Sequence, residues 1–540
     1  MAATFNLADI FELVAGVVPD REAVVSGSTR RTYAALDERA TRLADSLANE
    51  HGVGRGDHVG IDLHNCCEYI ETMLACFKLR AVPININYRY VAAELSPLFA
   101  DAGVVGIVCD PLTESDVRAA AGGVWVLPTG AVFDALVDAG SPDRTFEPRS
   151  PDDHYILYTG GTTGMPRGVV WRQEDIFFTA LGSGNPGGPP IERPDDVVAI
   201  APVNTAQRVK PFLAPNDPGP DEFVALSLGP MMHASGQWLS FGTLLGGGKV
   251  VMYEEPHLDG TKVLDLVERE RVVMLSIVGD SGARPLVAAL DEHPGRWDTS
   301  SLRLLGSGGS ILSGEMRERL LASLPSVLAI SEAVGSSEAP VQAIALARRD
   351  EPTIPSLVFQ ARPGVTLVVD DDLQPVVPGS GQSGWLAAGG RVPLRYHNDP
   401  VKSAATFVTI DGARYSLPGD RAEVDADGTI RLLGRGALCI NTGGEKVYPE
   451  EVEAVLKAHP DIADAVVVGV PDQQWGQRVS AVIERVSGAA APSLEVVQVH
   501  CRGSLAGYKV PRSLAVVDVI ERSPAGKADY RWAAEVVRAQ

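Results

Sequence analysis

The sequence has few cysteines, and none of them are spaced for a structural or metal-binding role. Its 540 residues include six cysteines, which form no C-x-x-C pair and no cysteine–histidine ligand spacing. This usage favours free or buried thiols in a reducing compartment over a disulfide framework. The first residues carry early acids and no basic segment, so no secretory signal peptide is expected. These absences predict a cytoplasmic protein.

No apolar run looks suited to crossing a membrane. The longest stretch without acidic or basic residues is residues 224–248, which contains Pro230, His233, Gln237 and several glycines. That composition favours buried strands and turns over a transmembrane segment. Peripheral membrane contact needs no spanning helix and stays open.

Basic charge is also scarce, since 47 Lys and Arg stand against 69 Asp and Glu, a formal net charge of −22. A nucleic-acid-binding protein usually shows a basic surface, and no basic run is present, so no nucleic-acid partner is predicted. The net negative charge of the protein repels an anionic substrate, so local cations and backbone amides must bind it.

The chain does show an alternation of helical and strand-like segments. Leu36, Ala40, Leu43 and Leu47 fall on one face of a predicted helix. Short apolar runs predict strands at residues 104–109, 124–127, 249–253, 272–278 and 303–305. This alternation predicts an α/β fold with largely parallel sheets, whose binding sites gather at the carboxyl ends of the strands. A chain of this length also exceeds one ordinary core, so two or more domains are expected.

Two regions depart from the alternation. Residues 182–220 are rich in proline and glycine and predict a long loop, either a lid at a substrate entrance or a plain surface insertion. A second domain is predicted to begin near Arg435, after a hairpin turn at residues 425–429. Pro449 suits the first position of a helix, and residues 465–470 suit a strand. The predicted domains are therefore residues 1–434 and a smaller α+β unit, residues 435–540.

The strongest chemical signal is the Gly/Thr segment, residues 158–168, which reads YTGGTTGMPRG. Glycines let backbone N–H groups turn toward an anion, the threonines add hydroxyl donors, and Arg167 adds a positive charge. It is not a Walker A loop, and no strand–GxGxxG–helix unit occurs elsewhere in the chain. The predicted phosphate cradle comprises Thr159, Gly160, Gly161, Thr162, Thr163, Gly164, Met165, Pro166, Arg167 and Gly168. The alternative is a flexible loop that binds no ligand.

The Gly/Thr segment resembles the signature of the adenylate-forming superfamily, which includes acyl-CoA synthetases, peptide-synthetase adenylation domains and luciferases. Segments resembling further family motifs follow in order at residues 81–87, 229–233, 308–310, 335–338, 417–420, 433–435, 443–446 and 523–527. The resemblance thus covers nearly the whole chain. It implies a large N-terminal domain of stacked, mainly parallel sheets with helices and a small mobile α+β C-terminal domain.

The resemblance also implies roles in ATP binding. Glu338 would be the Mg²⁺-associated carboxylate, in agreement with the preference of Mg²⁺ for carboxylate and phosphate oxygens. Asp420 would accept hydrogen bonds from the ribose hydroxyls, and Arg435 would pair with ribose or phosphate oxygens. Without the family, Glu338 would be interpreted as a solvated residue and Asp420 as a turn or cap residue. The implied adenine-flanking and neighbouring contacts are Gly308, Gly309, Ser310 and Ser337.

The chemical steps are implied in the same way. Lys527 would be the catalytic lysine, whose ammonium group stabilises the charge that develops when a carboxylate attacks the α-phosphate. It would engage for adenylation and then swing away, so that Gly443, Gly444 and Lys446 serve thioester formation. His233 resembles the position that gates the acyl pocket, although a packed core histidine explains it equally well.

The resemblance implies an AMP-forming carboxylic acid–CoA ligase that uses ATP, Mg²⁺ and coenzyme A. Strings such as LLGRGALCINTGGEKVYPEEVE, AGYKVPR and SPAGKADYRWA are most similar to actinobacterial ligases for steroid side-chain carboxylates. Medium- or long-chain fatty acids are the alternative substrates, because either acid needs an apolar pocket. Two further alternatives stay open: an acyl-AMP ligase serving a carrier protein, and a catalytically silent nucleotide-binding protein. The sequence leaves the oligomeric state undecided.

Three positions depart from the family pattern. Val334, before Gly335, stands where many relatives have an aromatic ring that could stack on adenine. Arg167 stands where lysine is more common, which keeps the charge but changes its shape. Ala437 lies where many members carry an acidic or lysine hinge.

Overall fold

The computed structural model describes most of the chain. The described residues are 3–161, 164–181, 188–203, 208–213, 217–255, 257–310, 312–349, 351, 357–435, 438, 440–442, 445–472, 476–505, 507–522 and 528–539. For residues 160, 161, 164, 165, 435, 441, 445, 446 and 476 the description covers the backbone only.

The helices of the described residues lie mostly between strands. They are Leu7–Val17, Tyr33–His51, Cys67–Lys78, Ala92–Ala102, Glu114–Ala120, Ala131–Ala139, Gln173–Thr179, Asp196–Ile200, Ala234–Leu244, Gly260–Glu270, Gly279–Glu292, Gly314–Ser323, Pro400–Thr406, Pro449–Lys457, Leu494–Arg502 and Tyr530–Arg538. None of these described helices is both long and apolar enough to cross a membrane.

The strands are numbered in chain order. They are β1 Glu22–Ser26, β2 Thr29–Thr32, β3 His58–Asp62, β4 Val82–Asn85, β5 Val104–Cys109, β6 Trp125–Pro128, β7 His154–Gly161, β8 Gly164–Arg172, β9 Val224–Ser227, β10 Lys249–Met252, β11 Met274–Ile277, β12 Leu304–Gly308, β13 Ala329–Ser336, β14 Ala339–Arg348, β15 Val358–Ala361, β16 Thr366–Val369, β17 Gly384–Ala388, β18 Arg395–Tyr396, β19 Phe407–Ile410, β20 Ala413–Ser416, β21 Asp420–Val424, β22 Ile430–Arg435, β23 Ile440–Thr442, β24 Glu445–Val447, β25 Ile462–Asp472, β26 Gly476–Arg485 and β27 Ser513–Val517.

Within the described residues these strands form three sheets. The first has the order β18-β8-β7-β4-β3-β5-β6, and β7, β4, β3, β5 and β6 run parallel. The second, of fifteen strands, has the order β19-β20-β17-β21-β22-β15-β14-β13-β12-β11-β9-β10-β1-β2, with β16 on β17. Its segment from β13 through β12, β11, β9 and β10 to β1 is parallel. The third has the order β24-β23-β26-β25, with β27 on β26. The predicted α/β class is confirmed. The predicted parallel pairing is found in the central strands of the first two sheets, whereas the strands from β13 to β19 of the second sheet pair antiparallel, because short turns join several of them.

The largest apolar core surrounds the helices Tyr33–His51 and Cys67–Lys78. Leu36, Ala40, Leu43 and Leu47, predicted to share one helical face, are all completely buried in it. The helix Tyr33–His51 begins at Thr32, whose side chain accepts from the Ala35 amide, and ends at Gly52, whose φ of 68° suits glycine. Local capping and a continuous apolar face therefore explain why this segment was predictable.

The sequence prediction of buried strands and turns for residues 224–248 is confirmed at the start of the region and is wrong in its middle. Strand β9 occupies only its first residues, and the helix Ala234–Leu244 follows. Most residues of this helix are buried, including the polar Gln237 and Ser240. A helix that is buried on nearly all sides lacks the polar face, opposite an apolar one, by which helices are recognised in a sequence.

The proline- and glycine-rich residues 182–220 are predicted to form a long loop, but their described part also contains the helix Asp196–Ile200 and a 3₁₀ turn, Lys210–Phe212. The C-terminal end of the helix Asp196–Ile200 is linked to two distant parts of the chain, because Arg21 donates to the carbonyl oxygens of Ala201 (3.2 Å) and Gly247 (2.6 Å). The described part of the segment therefore contains regular structure, and the role of the segment as a lid or an insertion stays a prediction.

The local predictions for the C-terminal region agree with the structure. Residues 425–429 close the hairpin of β21 and β22, with hydrogen bonds from the Asp425 amide to Thr429 and from the Gly428 amide to Asp425. Pro449 occupies the first turn of its helix, and residues 465–470 lie within β25. The boundary of the two domains at Arg435 stays a prediction.

Candidate active site

The Gly/Thr segment forms part of a β-hairpin. Strands β7 and β8 extend into it from both sides, and Tyr158 pairs with Gly168 and Thr159 with Arg167. A Cβ atom on Gly168 would lie 2.8 Å from the Tyr158 ring, so only glycine allows this close approach. The segment is thus more strand than loop. Thr162 and Thr163 lie outside the described residues, and the predicted phosphate contacts stay predictions.

Asn85 holds this hairpin against the segment that precedes His233. Its side-chain amide donates to the carbonyl oxygens of Tyr158 (2.8 Å) and Met232 (2.7 Å), and its oxygen accepts from the Tyr158 amide at 2.7 Å. Asn85 is 5% exposed, so these bonds are shielded from competing water. Asn85 therefore links Met232 to the Gly/Thr segment, and the predicted acyl gate, His233, is the next residue after Met232.

His233 is the N-cap residue of the helix Ala234–Leu244, and its side chain makes no capping hydrogen bond. The helix begins very close to the preceding turn, because a Cβ on Gly236 would lie 2.4 Å from the Pro230 carbonyl oxygen. The His233 side chain is half-buried. This position suits a residue that borders a pocket, and the gate function stays a prediction.

Glu338 lies in the tight turn between β13 and β14. A Cβ on Gly335 would lie 2.0 Å from the Pro340 carbonyl oxygen, so this turn requires glycine. The buried indole of Trp171 in β8 donates to the carbonyl oxygen of Ser337 at 3.0 Å. One hydrogen bond therefore joins the Gly/Thr hairpin of the first sheet to the Glu338 turn of the second.

Tyr396 holds the Glu338 carboxylate. Its hydroxyl donates to Glu338 Oε1 at 2.6 Å, and its strand β18 pairs with β8, Tyr396 lying opposite Val169. Burial, with a further contribution from Glu338, raises the pKa of Tyr396 well above its usual value. The hydroxyl therefore stays a donor at neutral pH, and the other carboxylate lone pairs can face a cation.

Arg167 pairs with Asp399 across the same region. Its Nε lies 3.0 Å from Asp399 Oδ2, and the arginine side chain is 40% exposed. Asp399 also caps the helix Pro400–Thr406 by accepting from the Lys402 amide at 2.9 Å. The Lys402 amide and the Arg167 guanidinium both lower the pKa of Asp399. An exposed ion pair is weak, so Arg167 can exchange this carboxylate for a phosphate at little cost.

Asp420 and Arg435 lie opposite each other in the hairpin of β21 and β22. Asp420 is 7% exposed, and the side-chain amide of Gln342 donates to its Oδ2 at 3.1 Å. The side chain of Arg435 lies outside the described part of the chain. The backbone alone thus places both predicted ribose contacts at one pair of the ladder.

The residues predicted to flank adenine follow the carboxyl end of β12. Gly308 pairs with Ala333 of β13, the strand that leads to the Glu338 turn. Gly309 has a φ of 78°, which favours glycine, and Ser310 follows half-buried. This turn therefore lies beside the strand that leads to the predicted metal ligand.

The structure does not test the residues predicted for the chemical steps. Lys527, Gly443 and Gly444 lie outside the described residues, and Lys446 is described only as backbone in β24. Sequence reasoning in turn missed Asn85, Trp171, Gln342 and Tyr396. Asn85 lies in residues 81–87 (AVPININ), which resemble a family motif, but nothing in these residues indicates which backbone groups the Asn85 amide contacts.

The two large sheets of this α/β fold meet where the glycine-rich hairpin contacts the Glu338 turn, and loops at the ends of parallel strands are where such folds bind their ligands. The chain belongs to the AMP-binding enzyme family, whose sequence profile matches residues 11–392. A second profile, the AMP-binding enzyme C-terminal domain, matches residues 451–527. The resemblance to the adenylate-forming enzymes and the expectation of an enzyme are confirmed.

Similar proteins include several named CoA ligases. The chain is 40% identical over 552 residues to a 3-oxocholest-4-en-26-oate–CoA ligase of Rhodococcus rhodochrous, covering 98% of this chain and 95% of the relative. It is 40% identical over 564 residues to a medium/long-chain-fatty-acid–CoA/3-oxocholest-4-en-26-oate–CoA ligase of Mycobacterium tuberculosis, covering 100% and 97%.

Solved structures confirm the fold. ATP-bound MatB from Rhodopseudomonas palustris superposes with a TM-score of 0.78 at 25% identity, covering 97% of this chain and 98% of that one. The anthranilate CoA ligase AuaEII in complex with anthranoyl-AMP gives a TM-score of 0.82 at 20% identity, covering 100% and 99%. The large sheet domain followed by a small C-terminal unit is therefore shared along the entire chain.

Proposed function

We propose that this protein is an AMP-forming carboxylic acid–CoA ligase, which converts an acid to an acyl-adenylate with ATP and then to a coenzyme A thioester. The observation that carries the proposal is the 3.0 Å hydrogen bond from Trp171 to Ser337. This bond joins the Gly/Thr hairpin to the Glu338 turn, which supports the proposal that phosphate donors lie beside a carboxylate for a metal ion. ATP and CoA are the co-substrates that this activity requires.

The ATP site is proposed to use both sheets. Backbone amides and threonine hydroxyls of the Gly/Thr segment bind phosphate oxygens, and Arg167 leaves Asp399 to join them. Asp420 accepts from the ribose hydroxyls with Arg435 nearby, and the turn Gly308, Gly309 and Ser310 lies against adenine. Because the protein carries a net charge of −22, these local donors must overcome an unfavourable mean field.

Glu338 fits a Mg²⁺ ion. Its carboxylate is oriented by Tyr396, and Mg²⁺ is usually held by one or two carboxylates together with substrate phosphates. The ion, when bound, would neutralise phosphate charge. The protein's own contribution is to keep the carboxylate in one orientation beside the Gly/Thr segment.

The C-terminal part, proposed to be residues 435–540, carries the residues for the two chemical steps. Lys527 would stabilise the charge that develops as the substrate carboxylate attacks the α-phosphate. The same part would then present Gly443, Gly444 and Lys446 for thioester formation. Domain rotation between two steps is an established way to use one site twice.

The proposed acid is a steroid side-chain carboxylate, with a medium- or long-chain fatty acid as the alternative. Relatives named for one or both kinds of acid align with the full chain at about 40% identity. His233 and the helix Ala234–Leu244 are the proposed border of the acyl pocket. Transfer of the acyl group to a carrier protein and a catalytically silent protein are the remaining alternatives.

The deciding experiment supplies ATP, Mg²⁺ and CoA with a panel of steroid carboxylates and fatty acids, and identifies the products by mass. A steroidyl-CoA supports the proposal in full, whereas fatty acyl-CoA alone replaces the steroid by a fatty acid. An acyl-adenylate without thioester would indicate a carrier-protein acceptor. Absence of any product would contradict catalysis.

Tyr396→Phe tests whether Tyr396 orients the proposed metal ligand. Loss of its hydrogen bond to the Glu338 carboxylate is expected to lower the rate of acyl-adenylate formation about tenfold, the scale of one hydrogen bond to a charged group. The loss should be largest at low Mg²⁺, with the KM for the acid little changed. Tyr415→Phe, a half-buried tyrosine of β20, is the matched control. An unchanged Mg²⁺ dependence in Tyr396→Phe would contradict this role.

Arg167→Lys tests the departure from the family pattern. Lysine keeps the positive charge but cannot reproduce the planar Nε contact with Asp399, so the rate of acyl-adenylate formation is expected to stay within about threefold of wild type or to rise. Arg167→Ala, which removes the charge, should instead raise the KM for ATP. A large loss of rate with lysine would show that Arg167 has been misplaced relative to the phosphates.

A further inference from the structure

Gln342 lies in contact with Asp420, the proposed ribose ligand. It is completely buried in β14, whereas Asp420 is 7% exposed. Its Nε2 donates to Asp420 Oδ2 at 3.1 Å although 78 residues separate the two in the chain. The carboxylate that would face the nucleotide is therefore supported by a more deeply buried amide.

The backbone around Gln342 is held by two neighbouring side chains. Thr366 Oγ1 donates to the Gln342 carbonyl oxygen, and Arg362 Nη1 donates to the Val341 carbonyl oxygen at 2.7 Å. Thr366 Oγ1 in turn accepts from the Arg362 amide at 2.7 Å. A donor that must orient another group needs such a rigid base.

The other end of the Gln342 amide has a different environment. Its Oε1 is fully buried and has no hydrogen-bond partner among the described residues. A buried polar atom without a partner costs stability, and an apolar side chain of similar size would avoid that cost. The bond to Asp420 is therefore the feature that an apolar residue at this position could not replace.

We propose that Gln342 is a positioning residue for ATP, which holds the Asp420 carboxylate so that its remaining lone pairs face the ribose hydroxyls. This inference rests on the proposed role of Asp420 in nucleotide binding. A carboxylate has about four lone-pair sites, and the bond from Gln342 uses one of them and limits rotation of the group. Gln342 itself touches neither ribose nor phosphate.

The test compares ATP with 2′-deoxy-ATP and 3′-deoxy-ATP in acyl-adenylate formation by the full-length protein. Gln342→Met is expected to lower kcat/KM for ATP about tenfold, the size of one hydrogen bond to a charged group. The loss should appear in the KM for ATP and leave kcat nearly unchanged. The preference for ATP over the deoxynucleotides should fall, because a misoriented carboxylate no longer discriminates them.

Gln173→Met is the matched control for loss of a buried glutamine amide. Gln173 is completely buried and its Oε1 accepts from the Leu7 amide at 2.8 Å. This variant should lower the melting temperature but keep the preference for ATP. Should Gln342→Met fail to fold, Gln342→Leu, which also removes the donor without burying a second carboxylate beside Asp420, is expected to show the same loss of preference.

Asp420→Asn separates this inference from the proposed function. If Asp420→Asn removes the preference for ATP while the folded Gln342 variants keep it, the role of Gln342 is overturned and that of Asp420 stands. If Asp420→Asn also keeps the preference, the ribose role of Asp420 fails, and the inference fails with it. In the double variant Gln342→Met/Asp420→Asn, no further loss beyond Asp420→Asn is expected, because the two residues act as one unit.

Discussion

Lys527→Ala is expected to lower the rate of acyl-adenylate formation by about 10²- to 10³-fold, the range measured for loss of one preorganised electrostatic group. The ammonium group is proposed to act only when the acid attacks the α-phosphate. Conversion of a supplied acyl-adenylate to the thioester should therefore stay close to the wild-type rate. ATP–pyrophosphate exchange and a CoA-dependent single-turnover assay measure the two steps separately.

Arg531→Ala is the control, because it removes an exposed cation from the same part of the chain. It lies in the first turn of the helix Tyr530–Arg538 and should leave both steps unchanged. If Lys527→Ala retains adenylation, the catalytic lysine has been assigned wrongly. If wild type binds ATP but forms no adenylate with any acid, the silent nucleotide-binding alternative replaces the ligase.

Glu338→Gln is expected to reduce acyl-adenylate formation about a hundredfold. The substitution keeps the shape of the side chain and an acceptor for the Tyr396 hydroxyl, but it removes the charge that Mg²⁺ prefers in a ligand. The variant should also require more Mg²⁺ for its residual activity. Measuring the rate across a Mg²⁺ titration distinguishes a weakened metal site from a general loss of activity.

Glu351→Gln provides the comparison for this substitution, since that glutamate is 57% exposed and pairs with Arg348 only at 3.5 Å. Its activity and Mg²⁺ requirement should match wild type. If the Glu338→Gln variant has a normal Mg²⁺ dependence, Glu338 is not a metal ligand, and its hydrogen bond with Tyr396 has only a structural role.

Several elements were predictable because their signals are local. The helix Tyr33–His51 has a continuous apolar face and a capping threonine, and residues 425–429 contain the Asp and Gly residues of a hairpin turn. Pro449 marks a helix start because proline lacks the amide hydrogen that a first turn does not need. The helix Ala234–Leu244 was missed because burial on nearly all sides removes the amphipathic pattern.

The candidate site divides in the same way. The family, the order of its motifs and the candidate residues Glu338 and Asp420 could be predicted from the sequence, because glycine-rich turns and their flanking strands consist of consecutive residues. The side chains that contact the candidate residues became known only from the folded structure. Tyr396 reaches Glu338 across 58 residues of chain, and Asp399 reaches Arg167 across 232. Such contacts leave no periodic signal, because they depend on how segments far apart in the chain are placed in space.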